Sequence, residues 1–342
     1  MDTPGNIQER LVLLIGSPRS GSTMLQRMIG SHSAVFTRPE PHMLTPLAFL
    51  GYHDTVEKAP YDHINAAKAI REYVDALPGG EKDYLDALRA YADVMYGRIL
   101  EGREQRYFMD KTPAYGLVLP FITRLLPGAR YLVLTRHPLA VLSSYANSFF
   151  EGDYDAAYAF NPILHRYVPA IAKMLLEKPV PHIRVRYEDV VTSPSTELAR
   201  IFAHLDLPHE ESAVNYGAHH HEKGSFGDPK VTEHDRPVAT SSERWVGELL
   251  ADRAKLDKAR AIIAELDPGD LDAWGYPADE IFEPLAQGRA ASAEAPTLRW
   301  KLNPYRLQRK VFLSLRKDIH SSRFGDAVRR VRYYCDVLLR ES

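Results

Sequence analysis

An unbroken apolar run at residues 11–15 leads directly into a glycine-containing loop, and this junction constrains the fold more than any other feature of the chain. A run without polar residues is typical of a strand that is buried on both faces of a parallel sheet. The loop, residues 16–23, has the sequence GSPRSGST, and apolar side chains recur at helical spacing over residues 24–29. A strand, a glycine loop and a helix in this order present backbone N–H groups and the helix dipole to an anion. We therefore predict an α/β protein with an anion site at this loop.

The alternation of strands and helices continues along the chain. Further strands are predicted at 107–109, 131–135 and 182–187. Helices are predicted at 63–102 (interrupted at 78–80), 117–126, 139–149, 195–205 and 243–266. Apolar strands that alternate with helices favour a doubly wound parallel sheet. The polar stretch 209–243 is predicted to be a long loop.

The chain is expected to contain one domain, residues 1–285, then a linker, residues 286–297, and a C-terminal tail, residues 298–342. The linker is rich in alanine, serine, proline and glycine. The tail has 12 lysine and arginine residues against four acidic ones, so its charge is +8 and that of the remaining chain is −10. Its apolar residues recur at helical spacing, which predicts a basic amphipathic helical tail.

Three roles are open for this basic tail. It can cover a groove of its own domain, lie on an anionic membrane surface or dock on a partner protein. A nucleic-acid partner is not expected, because the rest of the chain is acidic and has no recognisable stacking module. The polar N-terminus, the absence of a long apolar run and the single cysteine, Cys335, indicate a cytoplasmic protein. Peripheral contact with a membrane through the tail is the alternative.

The glycine loop differs at one position from the loop of ATP- and GTP-hydrolysing enzymes. In those enzymes the second glycine is followed by a lysine that reaches the β- and γ-phosphates. Here Gly21 is followed by Ser22, and a cation lies inside the loop instead, at Arg19. An ordinary ATPase or GTPase is therefore not predicted.

Two motifs resemble the sulfotransferases that use 3′-phosphoadenosine 5′-phosphosulfate (PAPS). Residues 16–23 are similar to the loop that binds the 5′-phosphosulfate, especially in bacterial members and in the tyrosylprotein branch. The second motif is a strand followed by Arg136, with Ser144 eight positions further on, which in the family bind the 3′-phosphate. The resemblance covers about residues 10–275 and implies a P-loop-type doubly wound sheet flanked by helices.

The resemblance also implies which residues bind the nucleotide. PAPS is anionic at both ends, so it requires two phosphate sites, which fall at the carboxyl edge of an open parallel sheet. An arginine can bind the 3′-phosphate through two hydrogen bonds, whereas a lysine cannot. The residues expected to bind PAPS are Arg19, Ser20, Gly21, Ser22, Thr23, Arg136, Ser144, Tyr187, Ser241 and Arg244.

The reacting centre is expected to contain a base and two cations. Glu40 lies 21 residues after Arg19, as the catalytic glutamate does in the branch that this loop resembles, and His42 is the alternative base. Lys111 matches a family lysine that contacts the transferring group, and it would stabilise the leaving oxygen together with Arg19. No metal is expected, because a sulfuryl group has less charge to neutralise than a phosphoryl group. The histidines at 219–221 are not expected to bind metal either, because consecutive residues cannot all face one ion.

The predicted function is transfer of a sulfuryl group from PAPS to the hydroxyl of a small-molecule, lipid or glycan acceptor, with release of 3′-phosphoadenosine 5′-phosphate (PAP). An amine is the less favoured acceptor. Two alternatives stay open, an atypical P-loop kinase and a non-catalytic scaffold that binds PAP. The sulfotransferase prediction requires the guanidinium of Arg136 to lie beside the loop residues 20–23.

Overall fold

Five parallel strands form a single sheet in the computed structural model, which describes residues 7–50, 52–53, 61–222, 234–238 and 243–288 and four single positions near the C-terminus. The strand order is β2-β3-β1-β4-β5, and every pairing is parallel. The strands are β1 (Leu11–Gly16), β2 (Val35–Pro39), β3 (Tyr107–Lys111), β4 (Arg130–Thr135) and β5 (His182–Arg186). The predicted α/β fold is confirmed.

Helices connect and flank these strands. They are α1 (Ser22–Gly30), α2 (Thr45–Ala48), α3 (Tyr61–Asp75), α4 (Glu81–Leu100), α5 (Leu119–Leu125), α6 (Pro138–Phe149), α7 (Tyr154–Phe160), α8 (Ile163–Glu177), α9 (Tyr187–Thr192), α10 (Pro194–His204), α11 (Arg244–Ala251), α12 (Arg253–Ala264), α13 (Pro268–Trp274) and α14 (Glu283–Gln287). Short 3₁₀ helices occur at Ile7–Arg10, Pro113–Leu117, Glu211–Val214 and Tyr216–Ala218.

Several predicted boundaries differ from the structure. The helix predicted at 117–126 is divided, because a 3₁₀ turn ends at Leu117 before α5 begins at Leu119. Proline at the second position of α5 starts a new helix there. The strand predicted at 182–187 ends one residue early, at Arg186, because Tyr187 is already the first residue of α9. The predicted loop 209–243 contains two of the 3₁₀ helices in its described part.

The central strand separates two hydrophobic cores. Leu11, Leu13 and Ile15 of β1 pack on one side of the sheet, and Val12 and Leu14 pack on the other. All five side chains are essentially inaccessible to solvent. Successive side chains of a strand point to opposite faces, so a strand with a core on both sides needs apolar residues at every position. This requirement explains the unbroken apolar run.

The strand order places the carboxyl ends of β1 and β4 at a switch point. From β1 the chain continues on one side to β2 and β3, and afterwards on the other side to β4 and β5. In open α/β sheets a crevice for ligands forms at such a point. The register pairs Gly16 with Leu134 and Pro39 with Lys111. The glycine loop is therefore adjacent to Arg136, and Glu40 is adjacent to Lys111.

Several predictions concern residues that the structure does not describe. Helix α14 ends at Gln287, two residues into the predicted linker. The rest of the linker, almost all of the tail and Ser241 lie outside the described residues. Within the described part of the chain, no helix combines the length and the apolar character needed to cross a bilayer.

Candidate active site

The glycine loop places the start of α1 against an aromatic ring. Gly21, the N-cap of α1, has φ of +91°, and a Cβ atom built there would lie 2.4 Å and 2.5 Å from two ring carbons of Tyr187. Glycine is therefore required both by the backbone conformation and by the neighbouring ring. Arg19 also has a positive φ, of 69°. The chain turns at Arg19 and Gly21, and this brings the first N–H groups of α1 to the crevice. These N–H groups have no acceptor within the helix.

One predicted backbone donor is used inside the loop. The Ser20 N–H donates to the Ser17 carbonyl oxygen at 3.2 Å. This bond closes the turn that holds Arg19, so the Ser20 amide is engaged within the loop, and its contact with the ligand stays a prediction. The Ser20 hydroxyl is buried and has no hydrogen-bond partner among the described residues.

Arg136 lies beside the glycine loop, as the sulfotransferase prediction requires. Its Nη1 donates to the Arg19 carbonyl oxygen at 3.1 Å, and its Cζ lies 4.1 Å from the centre of the Tyr187 ring. The Nε atom of Arg136 is buried and has no partner within the described part of the chain. Side chains of the two motifs are also in direct contact, because Arg19 Nε donates to the Ser144 hydroxyl at 3.2 Å. Residues from the two predicted phosphate motifs thus form one cluster.

A buried layer behind Arg136 fixes its backbone. The indole N–H of Trp274 donates to the Arg136 carbonyl oxygen at 2.9 Å, and the His137 N–H donates to Glu188 Oε1 at 3.1 Å. The His137 ring stacks on Trp245, with centroids 4.3 Å apart. Burial, together with the positive charges of Arg136 and Arg186, lowers the pKa of His137 to about 3. His137 is therefore neutral and packs as an aromatic ring.

A cavity of about 340 Å³ opens at this cluster. Its described lining contains four arginines and one histidine, and no acidic residue. Of the predicted nucleotide-binding residues, it is lined by Arg19, Gly21, Arg136, Ser144, Tyr187 and Arg244. Its volume lies within the usual range for small-molecule sites. Its walls favour a ligand with more than one negative charge.

The sequence did not indicate every residue of this cavity. Arg236 and His234 line it, but they belong to the stretch that composition identified only as a polar loop. Trp245 and Asn147 also line it, and neither has a local motif that marks it. Their proximity to Arg136 arises from the packing of α11 against α6.

A second cavity, about 560 Å³ in volume, is larger but has a different charge. Its described lining contains one arginine, Arg186, and four glutamates, Glu188, Glu243, Glu280 and Glu283. Carboxylates repel a polyanion, so the smaller cavity is the better candidate for a nucleotide phosphate site.

The residues predicted for the reacting centre meet at the ends of β2 and β3. Lys111 Nζ lies 2.6 Å from Glu40 Oε1 and donates to the Thr23 hydroxyl at 3.4 Å. The Lys111 side chain is completely buried, whereas that of Glu40 is 17% exposed. Thr23 belongs to the first turn of α1, so this ion pair is adjacent to the glycine loop.

The alternative base lies on the same turn as Glu40. His42 Nε2 is 3.9 Å from Glu40 Oε2, and the His42 side chain is 39% exposed. Both residues have positive φ angles, 31° for Glu40 and 53° for His42. The structure thus brings both candidate bases to the lysine, with Glu40 in direct contact.

Two of the three consecutive histidines at 219–221 bond to the backbone around them. His219 Nε2 lies 3.2 Å from the Ser212 carbonyl oxygen, and His221 Nε2 lies 2.6 Å from that of Tyr216. The described residues contain no group of three or more histidine, cysteine or acidic side chains that could hold a metal ion.

A curated protein is similar to this chain over most of its length. Nodulation protein NoeE of Sinorhizobium fredii (strain NBRC 101917 / NGR234) is 26% identical over 263 residues, which cover 70% of this chain and 60% of that protein. The chain thus spans about three-fifths of the length of this curated relative.

Solved structures with a similar fold include two sulfotransferase domains. One, from the olefin synthase of Synechococcus PCC 7002, superposes with a TM-score of 0.50 at 23% identity, over 74% of this chain and 93% of that one. The other, from the curacin biosynthetic pathway, has a TM-score of 0.48 at 22% identity, over 68% and 89%. The family model described as the sulfotransferase family matches residues 12–211, which is more than half of the chain. The chain therefore belongs to the sulfotransferase family.

Proposed function

We propose that this protein transfers a sulfuryl group from PAPS to the hydroxyl of an acceptor and releases PAP. The observation that carries the proposal is the 340 Å³ cavity, whose described walls have four arginines and no acidic residue. This cavity joins the two phosphate motifs and adjoins the Glu40–Lys111 pair through the glycine loop. Family membership agrees with sulfuryl transfer. A small-molecule, lipid or glycan hydroxyl is the proposed acceptor, and an amine is less favoured.

The cavity residues suit a nucleotide with separate anionic groups. Arg136 and Ser144 would hold the 3′-phosphate, because a guanidinium binds phosphate through two parallel hydrogen bonds. The first turn of α1 and Arg19 would hold the 5′-phosphosulfate. The buried Ser20 hydroxyl and Arg136 Nε, which have no partner among the described residues, fit such an anionic ligand. PAPS would supply the sulfuryl group, and the protein would align it.

The ion pair can act at both ends of the transfer. Glu40 would accept the proton of the acceptor hydroxyl as the new S–O bond forms. Lys111 would donate to the bridging oxygen as the S–O bond to the 5′-phosphate breaks. Protonation of Glu40 removes the negative charge 2.6 Å from Lys111 Nζ, so the ammonium then interacts more strongly with the leaving oxygen. Proton transfer and departure of PAP are coupled in this way.

The direct test is to incubate the purified protein with PAPS and a metabolite extract, and to search by mass spectrometry for compounds that gain a sulfo group. We expect sulfated products and a matching amount of PAP. A parallel incubation with Mg-ATP distinguishes the kinase alternative, for which phosphorylated products would form instead. If PAP binds but no sulfated product appears with any extract or lipid fraction, the protein is a scaffold and the proposal is wrong.

A further inference from the structure

A buried carboxylate lies one residue before Lys111. Asp110, on β3, has no exposed surface and accepts three hydrogen bonds from hydroxyl groups. Tyr96 and Tyr115 donate to its Oδ2 at 2.7 Å and 2.8 Å, and Thr112 donates to its Oδ1 at 2.9 Å. The phosphate and acceptor chemistry proposed above makes no use of this group.

Two of these hydroxyls also bind the turn that carries both candidate bases. The His42 N–H donates to Thr112 Oγ1 at 3.3 Å, and the Leu44 N–H donates to the Tyr115 hydroxyl at 3.0 Å. A hydroxyl has one proton to give and lone pairs to accept with. Thr112 and Tyr115 each donate their one hydroxyl hydrogen to Asp110. Their oxygen lone pairs are therefore free to accept the N–H groups of His42 and Leu44. The Asp110 carboxylate thus determines that the two hydroxyls donate to it and accept from the turn.

The turn needs this external support. Glu40 and His42 both have positive φ angles, a region that non-glycine residues rarely occupy because Cβ is crowded there. A conformation of this kind persists where surrounding contacts determine it. The two hydrogen bonds at 42 and 44 are such contacts, and they lie immediately after Glu40.

We propose that Asp110 is a positioning residue, which through Thr112 and Tyr115 holds the turn 40–44 so that the Glu40 carboxylate stays against Lys111. The effect of this role on catalysis depends on the proposed sulfuryl transfer. Burial raises the pKa of Asp110, so the folded protein favours its charged form less than water does. The hydrogen bonds that Asp110 accepts are therefore better explained by the hydroxyl groups that they orient.

The two tyrosines give a matched pair for the test. Both side chains are buried, and both hydroxyls bond the same oxygen of Asp110. Only that of Tyr115 also accepts the Leu44 N–H. Tyr115→Phe therefore removes a bond to Asp110 and one of the two bonds to the turn, whereas Tyr96→Phe removes a bond to Asp110 and its contact with the Tyr115 hydroxyl but no bond to the turn.

We expect Tyr115→Phe to lower kcat by about 10- to 100-fold, because a small displacement of a reacting group has effects of this size. The dissociation constant of PAP should stay within about twofold, since Tyr115 is outside the described lining of the nucleotide cavity. Hydrogen exchange at the amides of 42–44 should become faster in Tyr115→Phe and stay near the wild-type rate in Tyr96→Phe. Tyr96→Phe should keep kcat within about threefold of the wild type.

Two results would overturn the positioning role: an equal loss of kcat in both variants, or faster exchange at 42–44 without any loss of kcat in Tyr115→Phe. The exchange measurement requires no turnover, so it tests the attachment of the turn even if sulfuryl transfer is wrong. If the wild type forms no sulfated product, the proposed function is refuted. If exchange at 42–44 is nevertheless faster in Tyr115→Phe and unchanged in Tyr96→Phe, the hydrogen bonds that hold the turn are still supported. Asp110→Asn should loosen the turn at least as much as Tyr115→Phe.

Discussion

Gly21 affects both the backbone conformation of the glycine loop and the packing of the candidate nucleotide site. Its φ of +91° turns the chain into α1, and its missing side chain leaves room for the Tyr187 ring. That ring lies on the Arg136 guanidinium. A side chain at position 21 would therefore displace the ring and, through it, the arginine proposed to bind the 3′-phosphate.

Gly21→Ala should impair both folding stability and PAP binding. Displacing the ring in addition to straining the backbone should destabilise the protein by about 2–5 kcal/mol, and PAP affinity should fall at least about tenfold. Gly102→Ala is the control, because Gly102 also has a positive φ, of 72°, but its Cβ would meet nothing within 4 Å. Denaturant unfolding and calorimetric titration with PAP measure the two effects. Equal PAP affinity in the two variants would show that the Tyr187 contact does not matter for binding.

The two candidate bases can be separated by substitution. Glu40→Gln should lower kcat by about 10²- to 10⁴-fold, the usual contribution of a general base. His42→Asn should lower kcat by less than about tenfold, because His42 is more exposed and its Nε2 is 3.9 Å from the Glu40 carboxylate. PAP affinity, measured by calorimetry, should change little in either variant, and this also verifies folding. If His42→Asn is the more severe change, the imidazole is the base.

At the scale of secondary structure elements, the central strands β1 and β4 were predictable from their apolar runs, whereas the edge strand β2 was not. β1 and β4 are apolar at consecutive positions because helices cover both faces. β2 has only five residues, of which Val35 alone is fully buried, so it shows no clear apolar run or alternation. It was missed for this reason, although its pairing with β3 is what places Glu40 beside Lys111.

The junction between β4 and α6 should make stability depend on pH. The folded state holds the pKa of His137 at about 3, against an ordinary value of 6.5. Between these values the unfolded chain binds the proton and the folded chain does not, so stability falls as pH falls below 6.5. From pH 7 to 5 this residue should remove about 2 kcal/mol of stability.

His137→Asn isolates this contribution. The variant should be less stable than the wild type at pH 7, because the stacking on Trp245 is lost, but its stability should fall less steeply between pH 7 and 5. Urea unfolding at both pH values measures the difference in slope. Parallel pH dependence in the two proteins would mean that folding does not lower the pKa of His137, contrary to its burial.

At the scale of the whole molecule, the candidate site collects residues from distant parts of the sequence. Arg19, Arg136 and Arg244 line one cavity because the carboxyl ends of β1 and β4 meet at the switch point. Local motifs sufficed to predict the first two, since each follows a recognisable strand. Arg236 could not be predicted, because its position depends on how a loop without a periodic pattern packs over the sheet edge.

The carboxyl ends of the strands should therefore bind the nucleotide. Arginines at the two ends of β4 allow a test of this prediction. Arg136 follows the carboxyl end of this strand, and Arg130 begins it at the opposite edge, where its Nη1 donates to the His204 carbonyl oxygen at 3.0 Å. Both guanidiniums also lie over tyrosine rings. PAP at about 100 times its dissociation constant should stabilise the wild type by about 2.7 kcal/mol and raise its Tm by about 4 °C.

Arg136→Ala should abolish most of this rise in Tm at the same PAP concentration, whereas Arg130→Ala should retain it. Each substitution removes one arginine at an end of β4, so a general loss of stability or of positive charge would affect both variants alike. Differential scanning calorimetry with and without PAP measures the shifts, and Mg-ATP at the same concentration should give a smaller one. A full PAP shift in Arg136→Ala would place the 3′-phosphate elsewhere. The motif that joins Arg136 to Ser144 would then have no role in binding PAP.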